Sequence, residues 1–424
     1  MSVDPEQLTL AGGFPSVTDE QWEAEVLKVL NRGRPEGKQL TVEKGLKRLT
    51  TTTLDGLQIA PLYTAGDSPA ELGYPGAMPF TRGASVRNGD AVAWGVRQLH
   101  EDPDVALTRQ AILDDLERGA TSVWLRLDPD AIPADRLADV LADVQLDLAA
   151  VRVISNTDPA GAATALIEVF RGSGNDPENL KGNLGIDALR YAALNGTTPD
   201  LSAHRAFVAE ATESLPGVVA LTVDVLPYVG AGADDVQELA FAIATGIEYL
   251  RDLDDAGISP DLAVTQLEFR VSATADQFMT ISRLRALRRL WARVTEVSGV
   301  TEALRGAHTH AVTSPRMFST VDPYVNLLRA TIATFGAATG GADAITVLPF
   351  DHAAGLPSSF SRRIARNTQV IAAEESNLGR VMDPAGGSWY VEALTEELAQ
   401  AAWVIVGEIE AAGGMAAALA SGDI

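Results

Sequence analysis

Eight short apolar runs, at residues 91–98, 122–127, 149–155, 180–186, 218–225, 267–272, 309–314 and 344–350, punctuate this chain and leave few folds open to it. They are rich in Val, Ile and Leu, the composition of strands covered on both faces. Between them lie longer stretches with apolar residues at helical spacing, such as 107–117, 234–252, 277–297 and 321–336. Strands that alternate with helices run parallel, because each crossover returns the chain in the same direction. Eight such units predict a (β/α)8 barrel of the TIM type, a fold of roughly 250 residues or more. A doubly wound open sheet is the alternative that the pattern leaves.

The segment before the first strand has a different texture. Thr18 or Asp19 can cap a helix in which Trp22, Val26 and Leu30 form one apolar stripe. A basic stretch follows from Arg32 to Lys47, then the β-prone run Leu49-Thr50-Thr51-Thr52-Thr53-Leu54. Such a segment cannot bury a core alone and must pack on its own barrel or on another chain. The expected division is an arm at 1–60, a barrel at 61–400, and a C-terminal helix with the start of a linker at 401–424.

Charge and composition exclude several functions. The formal net charge of −24 repels nucleic acid, and no Lys/Arg cluster strong enough to overcome it is present. Without cysteine the chain has neither disulfides nor thiolate metal sites. Met1-Ser2-Val3-Asp4-Pro5-Glu6 lacks the basic and apolar regions of a signal peptide, and no run approaches the ~20 apolar residues of a membrane span. These features together predict a cytoplasmic protein.

Local features have bland readings beside sharper ones. His308 and His310 share one face if their segment is a strand, but no third ligand is spaced to complete a metal site, and none is expected. Val229-Gly230-Ala231-Gly232-Ala233-Asp234 follows a strand and opens a helix, where backbone amides hold phosphates in other proteins; a tight turn explains its glycines equally well. Arg283, Arg285, Arg288, Arg289 and Arg293 crowd one helix whose apolar stripe is Phe278, Ile281, Leu284, Leu287 and Trp291. Most of these arginines are therefore expected on its wet face. Asp351 and His352 follow the last strand, where barrel enzymes keep their chemistry.

Longer strings are more specific. Pro61-Leu62-Tyr63-Thr64, Gly83, Trp94 with Arg97-Gln98, Ala231-Gly232-Ala233-Asp234 and Leu290-Trp291 occur in order. They are followed by Asp322-Pro323-Tyr324, Gly355-Leu356-Pro357, Arg363-Ile364-Ala365-Arg366-Asn367-Thr368-Gln369 and Asp383-Pro384-Ala385-Gly386-Gly387-Ser388. This order resembles the acyl-CoA-binding barrel of the methylmalonyl-CoA mutase family, from about Phe14 onward. The Trp22 helix, the threonine run and Pro61-Leu62-Tyr63-Thr64 resemble the small subunits of its heterodimeric bacterial members. The resemblance implies an enzyme that interconverts (R)-methylmalonyl-CoA and succinyl-CoA by adenosylcobalamin radical chemistry, in which the protein supplies positioning and a dry cavity.

The same resemblance implies that this barrel has lost its site. The family's tyrosine after Arg-Gln is Leu99 here. Its Gly-Tyr-His is replaced by Val225, Leu226 and Pro227, and its carboxylate-binding arginine falls on Asn195. The arginine and serine that hold CoA phosphate become Gln266 and Glu268, the glutamine of His-x-Gln becomes Val312, and a glutamate near the adenosyl ribose becomes His352. Arg97 and His310 remain as remnants. No catalytic and no cofactor-binding residue is therefore expected in this chain. The family's Asp-x-His-x-x-Gly cobalamin domain is also not found in it. The resemblance then implies a non-catalytic subunit whose large (alpha) partner binds adenosylcobalamin and the acyl-CoA. The other readings are a stand-alone barrel enzyme, with His308, His310 and His352 as its groups, and an acyl-CoA-binding module.

Overall fold

The computed structural model describes residues 15–68, 72–87 and 93–424. The N-terminal hexapeptide and the first two residues of the run at 91–98 lie outside the described residues. The chain divides into two compact units at Tyr63.

In the smaller unit, helix Asp19–Leu30 starts where the sequence places it, with Thr18 and Gln21 forming a reciprocal capping box. A second helix, Val42–Leu49, is capped by Thr41. Asn31 fixes the connection by bonding both backbone groups of Leu40. Gly45 is the one buried residue of the two helices, and Leu27 and Leu30 approach it closely. Thr51–Thr52 pairs antiparallel with Gln58–Ile59.

The larger unit is built on eight parallel strands: β1 Gly95–His100, β2 Ser122–Arg126, β3 Ala150–Ile154, β4 Gly182–Ile186, β5 Val218–Asp224, β6 Leu267–Ala273, β7 Thr309–Thr313 and β8 Ala344–Thr346. Their order follows the chain, and β8 pairs with both β7 and β1, so the sheet closes. Closure excludes the open doubly wound sheet. Each expected strand is present within a few residues of its predicted bounds; β8 is the shortest, because the chain leaves the sheet after Thr346.

The outer layer comprises α1 Val105–Leu116, α2 Leu137–Val140, α3 Pro159–Gly172, α4 Ser202–Ser214, α5 Asp235–Asp255, α6 Gln277–Val297, α7 Val325–Thr339 and α8 Ser359–Val370. The helix predicted at 321–336 starts later, since Asp322 takes a positive φ and Pro323 follows it. The C-terminal helix begins at Trp389, ahead of the expected 401, and breaks near Gly413, giving Trp389–Ala411 and Met415–Ser421. No single helix among the described residues is long and apolar enough to cross a membrane.

The arginine helix overturns its expected reading. Arg283, Arg285 and Arg288 of α6 are buried, and only Arg289 and Arg293 reach the wet side. Periodicity identifies one apolar stripe, but α6 is packed on several sides, by α5, α7 and Trp389–Ala411. A guanidinium survives there only when paired. Arg283 meets Glu238 at 2.7 Å and also Asp235. Arg285 meets Glu392 at 2.7 Å and Asp383 at 3.4 Å. Arg288 donates to the carbonyls of Thr81, Gly340 and Gly341 at 3.0, 2.7 and 3.2 Å. Gly246 of α5 completes this packing, because a Cβ there would lie 2.6 Å from the Trp291 ring.

Arg288→Ala leaves three carbonyls without a donor and should cost roughly 3–5 kcal/mol. Arg293→Ala, at a half-exposed surface pair, should stay within about 0.5 kcal/mol. Denaturant unfolding of the two variants checks the contrast; equal effects would restore the wet-face reading.

Candidate functional site

Side chains alternate across a strand, so every second residue of the barrel strands projects toward the axis. In β1 these are Arg97 and Leu99, in β3 Arg152 and Ile154, in β6 Glu268 and Arg270, and in β7 His310 and Val312. The axis is therefore enclosed by charged groups in its lower part and by apolar groups near the C-terminal ends of the strands.

In the lower part, the carboxylate of Glu268 receives both terminal nitrogens of Arg97 at 2.9 and 3.2 Å and Arg152 Nε at 3.3 Å. Burial opposes ionisation of Glu268, but Arg97 and Arg152 outweigh it and hold the carboxyl well below its usual range. Arg270 lies beside them, donating to Asp224 at 3.0 Å and to His310 Nδ1 at 3.1 Å, with its guanidinium 4.3 Å from the Trp124 ring centroid. Arg190 reaches Asp224 at 3.0 Å from the helix Ala188–Asn195. Burial first, then the Arg97 and Arg270 charges, keep the His310 imidazole neutral. Since Nδ1 accepts from Arg270, the ring proton sits on Nε2, which faces Thr346 Oγ1 at 2.8 Å. This histidine is fixed as a structural bridge.

Above the charges, Trp124, Ile154, Val312 and Leu348 form a buried cluster, against which Leu99, Leu226 and Phe318 pack. Three positions read from the sequence as replaced polar site residues, Leu99, Leu226 and Val312, thus meet in one apolar plug at the barrel mouth. Pro227 sits half-buried in the first turn of the helix Leu226–Ala231. Beside Leu99 and His352 remains a crevice of about 20 Å³, close to the minimum for one water. His352 is partly covered and faces the Phe318 ring; burial lowers its pKa, and Glu101 and Asp351 counter that in part.

Other predicted positions lie apart. Asn195 is exposed at a helix end, bonded to the carbonyls of Asn156 and Tyr191. Gln266 is buried and accepts from the Ala220 amide. His308 is exposed while His310 is buried, so the two imidazoles do not converge. No group of three or more metal-ligating His, Asp or Glu side chains occurs among the described residues. The turn at 229–234 has its helix N-terminus occupied by the Asp234 side chain, which accepts from the Gln237 amide, so no anion is needed there. Sequence reasoning missed Arg152, Arg270, Asp224 and Trp124. The signal for Arg270 was its alternation with Glu268 in the strand Leu267–Ala273, and for Arg152 a lone charge in the apolar strand Ala150–Ile154; Asp224 and Trp124 carried no such signal.

The chain was compared with known proteins. The family model described as methylmalonyl-CoA mutase matches residues 133–424. The methylmalonyl-CoA mutase small subunit of Propionibacterium freudenreichii subsp. shermanii is 54% identical over 98% of this chain and 65% of its own length. That of Streptomyces virginiae is 50% identical over 100% of this chain and 68% of its own. A methylmalonyl-CoA mutase of Escherichia coli is 31% identical over 90% of this chain and 58% of its own. The chain thus spans about two thirds or less of the length of these curated relatives.

Glu268→Gln leaves the buried Arg97 and the partly buried Arg152 without their anion and should destabilise the chain by roughly 3–5 kcal/mol. Its depressed folded pKa means that the stabilisation is complete above the unfolded value of 4.5 and is lost as pH falls below it. Asp187, raised to about 6 by burial, works in the opposite sense, but it is common to both proteins. Unfolding of wild type and variant across pH should show a constant gap near neutrality that narrows below about pH 4.5. A pH-independent gap would remove the ionic account.

Proposed function

The chain belongs to the methylmalonyl-CoA mutase family, and from this premise we propose that it is the catalytically silent small subunit of a heterodimeric mutase. The observation that carries this reading is the plug, in which Leu99, Leu226 and Val312 occupy one closed apolar cluster at the barrel mouth. The family enzyme depends on adenosylcobalamin, and the residues of this chain do not fit that group. Leucine, valine and tryptophan side chains at the mouth offer an adenosyl group no polar partner within that cluster and narrow the path that an acyl-CoA would take. Glu268, at a position that holds phosphate in the family, is committed to Arg97 and Arg152, and a carboxylate there repels an anion.

In this reading the large subunit binds adenosylcobalamin and the acyl-CoA, and interconverts (R)-methylmalonyl-CoA and succinyl-CoA. This chain supplies a rigid second barrel that shapes and stabilises it. Residues 1–60 are the partner-contacting arm: their helices are charged and, apart from Gly45, leave nothing buried within themselves. Residues 61–400 are the mutase-like barrel, and 401–424 the C-terminal helix and start of a linker. The complex is cytoplasmic.

Mutase activity with adenosylcobalamin should appear when this chain is co-purified with its large subunit, with one cofactor per heterodimer and none on this chain alone. Turnover or cobalamin binding by the isolated chain would overturn the silent reading in favour of a stand-alone enzyme. Deleting residues 1–60 should abolish heterodimer formation, read by size-exclusion chromatography; intact assembly would remove the arm from the interface.

A further inference from the structure

Most described arginines of the larger unit make ion pairs, whereas two of those in a groove on the outer layer, between α1 and α8, do not. Its floor is Arg366, 4% exposed, which donates to Asp115 at 2.7 Å and to the Asp114 carbonyl at 3.3 Å, while its Nε has no partner. Arg118 holds the Asp114 carboxylate loosely, at 3.6 Å. Arg362 donates to the Pro357 carbonyl at 3.1 Å, and Arg363 lies over the Phe360 ring at 5.3 Å. Neither Arg362 nor Arg363 makes an ion pair with a carboxylate among the described residues.

All four arginines and both aspartates line one cavity of about 290 Å³. Four guanidiniums against two carboxylates leave two positive charges unbalanced, on a chain whose formal net charge is −24. General acidity cannot explain such a concentration; the local field is opposite to that of the whole molecule. Guanidinium forks match the oxygens of a tetrahedral dianion, and Arg362 and Arg363 line the groove with no carboxylate of their own. We propose that this groove binds a phosphate-type dianion, either free phosphate or the phosphoryl group of a small phosphomonoester. The site lies outside the plugged axis and is independent of the silent-subunit reading, although Arg362 also borders the crevice beside Leu99.

Isothermal titration of the chain with inorganic phosphate and with glycerol 3-phosphate tests this, with glycerol as the uncharged control. Saturable binding of both anions is expected, weakened about 10-fold or more in Arg362→Ala/Arg363→Ala and unchanged in Arg293→Ala. Equal affinity for the two anions assigns free phosphate, and tighter glycerol 3-phosphate assigns a phosphomonoester. Circular dichroism melting of the double variant guards against misfolding, and Arg362→Lys/Arg363→Lys should recover part of the affinity through charge alone. Absence of saturable heat at millimolar anion, or unchanged binding by the double alanine variant, overturns the proposal. So does a double variant that loses only assembly with the large subunit, which would assign the groove to an acidic partner segment.

Discussion

A parallel sheet closed on itself encloses whatever its alternate residues carry, and in this chain they carry ions. Arg97, Arg152 and Arg270 project into a space from which water is largely excluded, where an isolated charge is prohibitively costly. Glu268 and Asp224 make that arrangement tolerable, and His310 is held neutral so that it adds no further cation. Seven of the eight strands, all but β4, contribute a residue to this arrangement or to the apolar plug above it. Pairing of this kind is weak support for stability when compared with an apolar core, but losing one partner is severe. The barrel is thus rigid because its ions must stay matched.

The plug shows how residues scattered along the chain come to belong together. Leu99 comes from β1, Val312 from β7 and Leu226 from the helix after β5, yet they pack on a single set of neighbours including Trp124 and Leu348. A channel lined by tyrosine, histidine and glutamine stays wet; the same channel lined by leucine and valine collapses onto itself.

The fold was largely legible, because strands covered on both faces are short and mostly apolar and so stand out from helical stretches. Leu99, Leu226 and Val312 stood out only through the family resemblance, and their meeting in one cluster needs the closed barrel to be seen. What was not legible depended on how many neighbours surround an element. The α6 helix has one obvious apolar stripe, but Arg283, Arg285 and Arg288 are enclosed by partners distant in sequence, such as Glu238, Glu392 and the Thr81 carbonyl. Periodicity cannot announce a partner contributed from elsewhere in the chain. Arg152 and Arg270 escaped notice for the same reason: only closure of the barrel shows that they face Glu268 and Asp224.

The two-tier axis also has a historical consequence. A tyrosine at Leu99 would push a hydroxyl into a cluster of leucine, valine and tryptophan, and a serine at Glu268 would strand two arginines. Each single change is costly unless its own neighbours change with it. The interior therefore works as a ratchet: a more polar axis can be reached only through several changes made together.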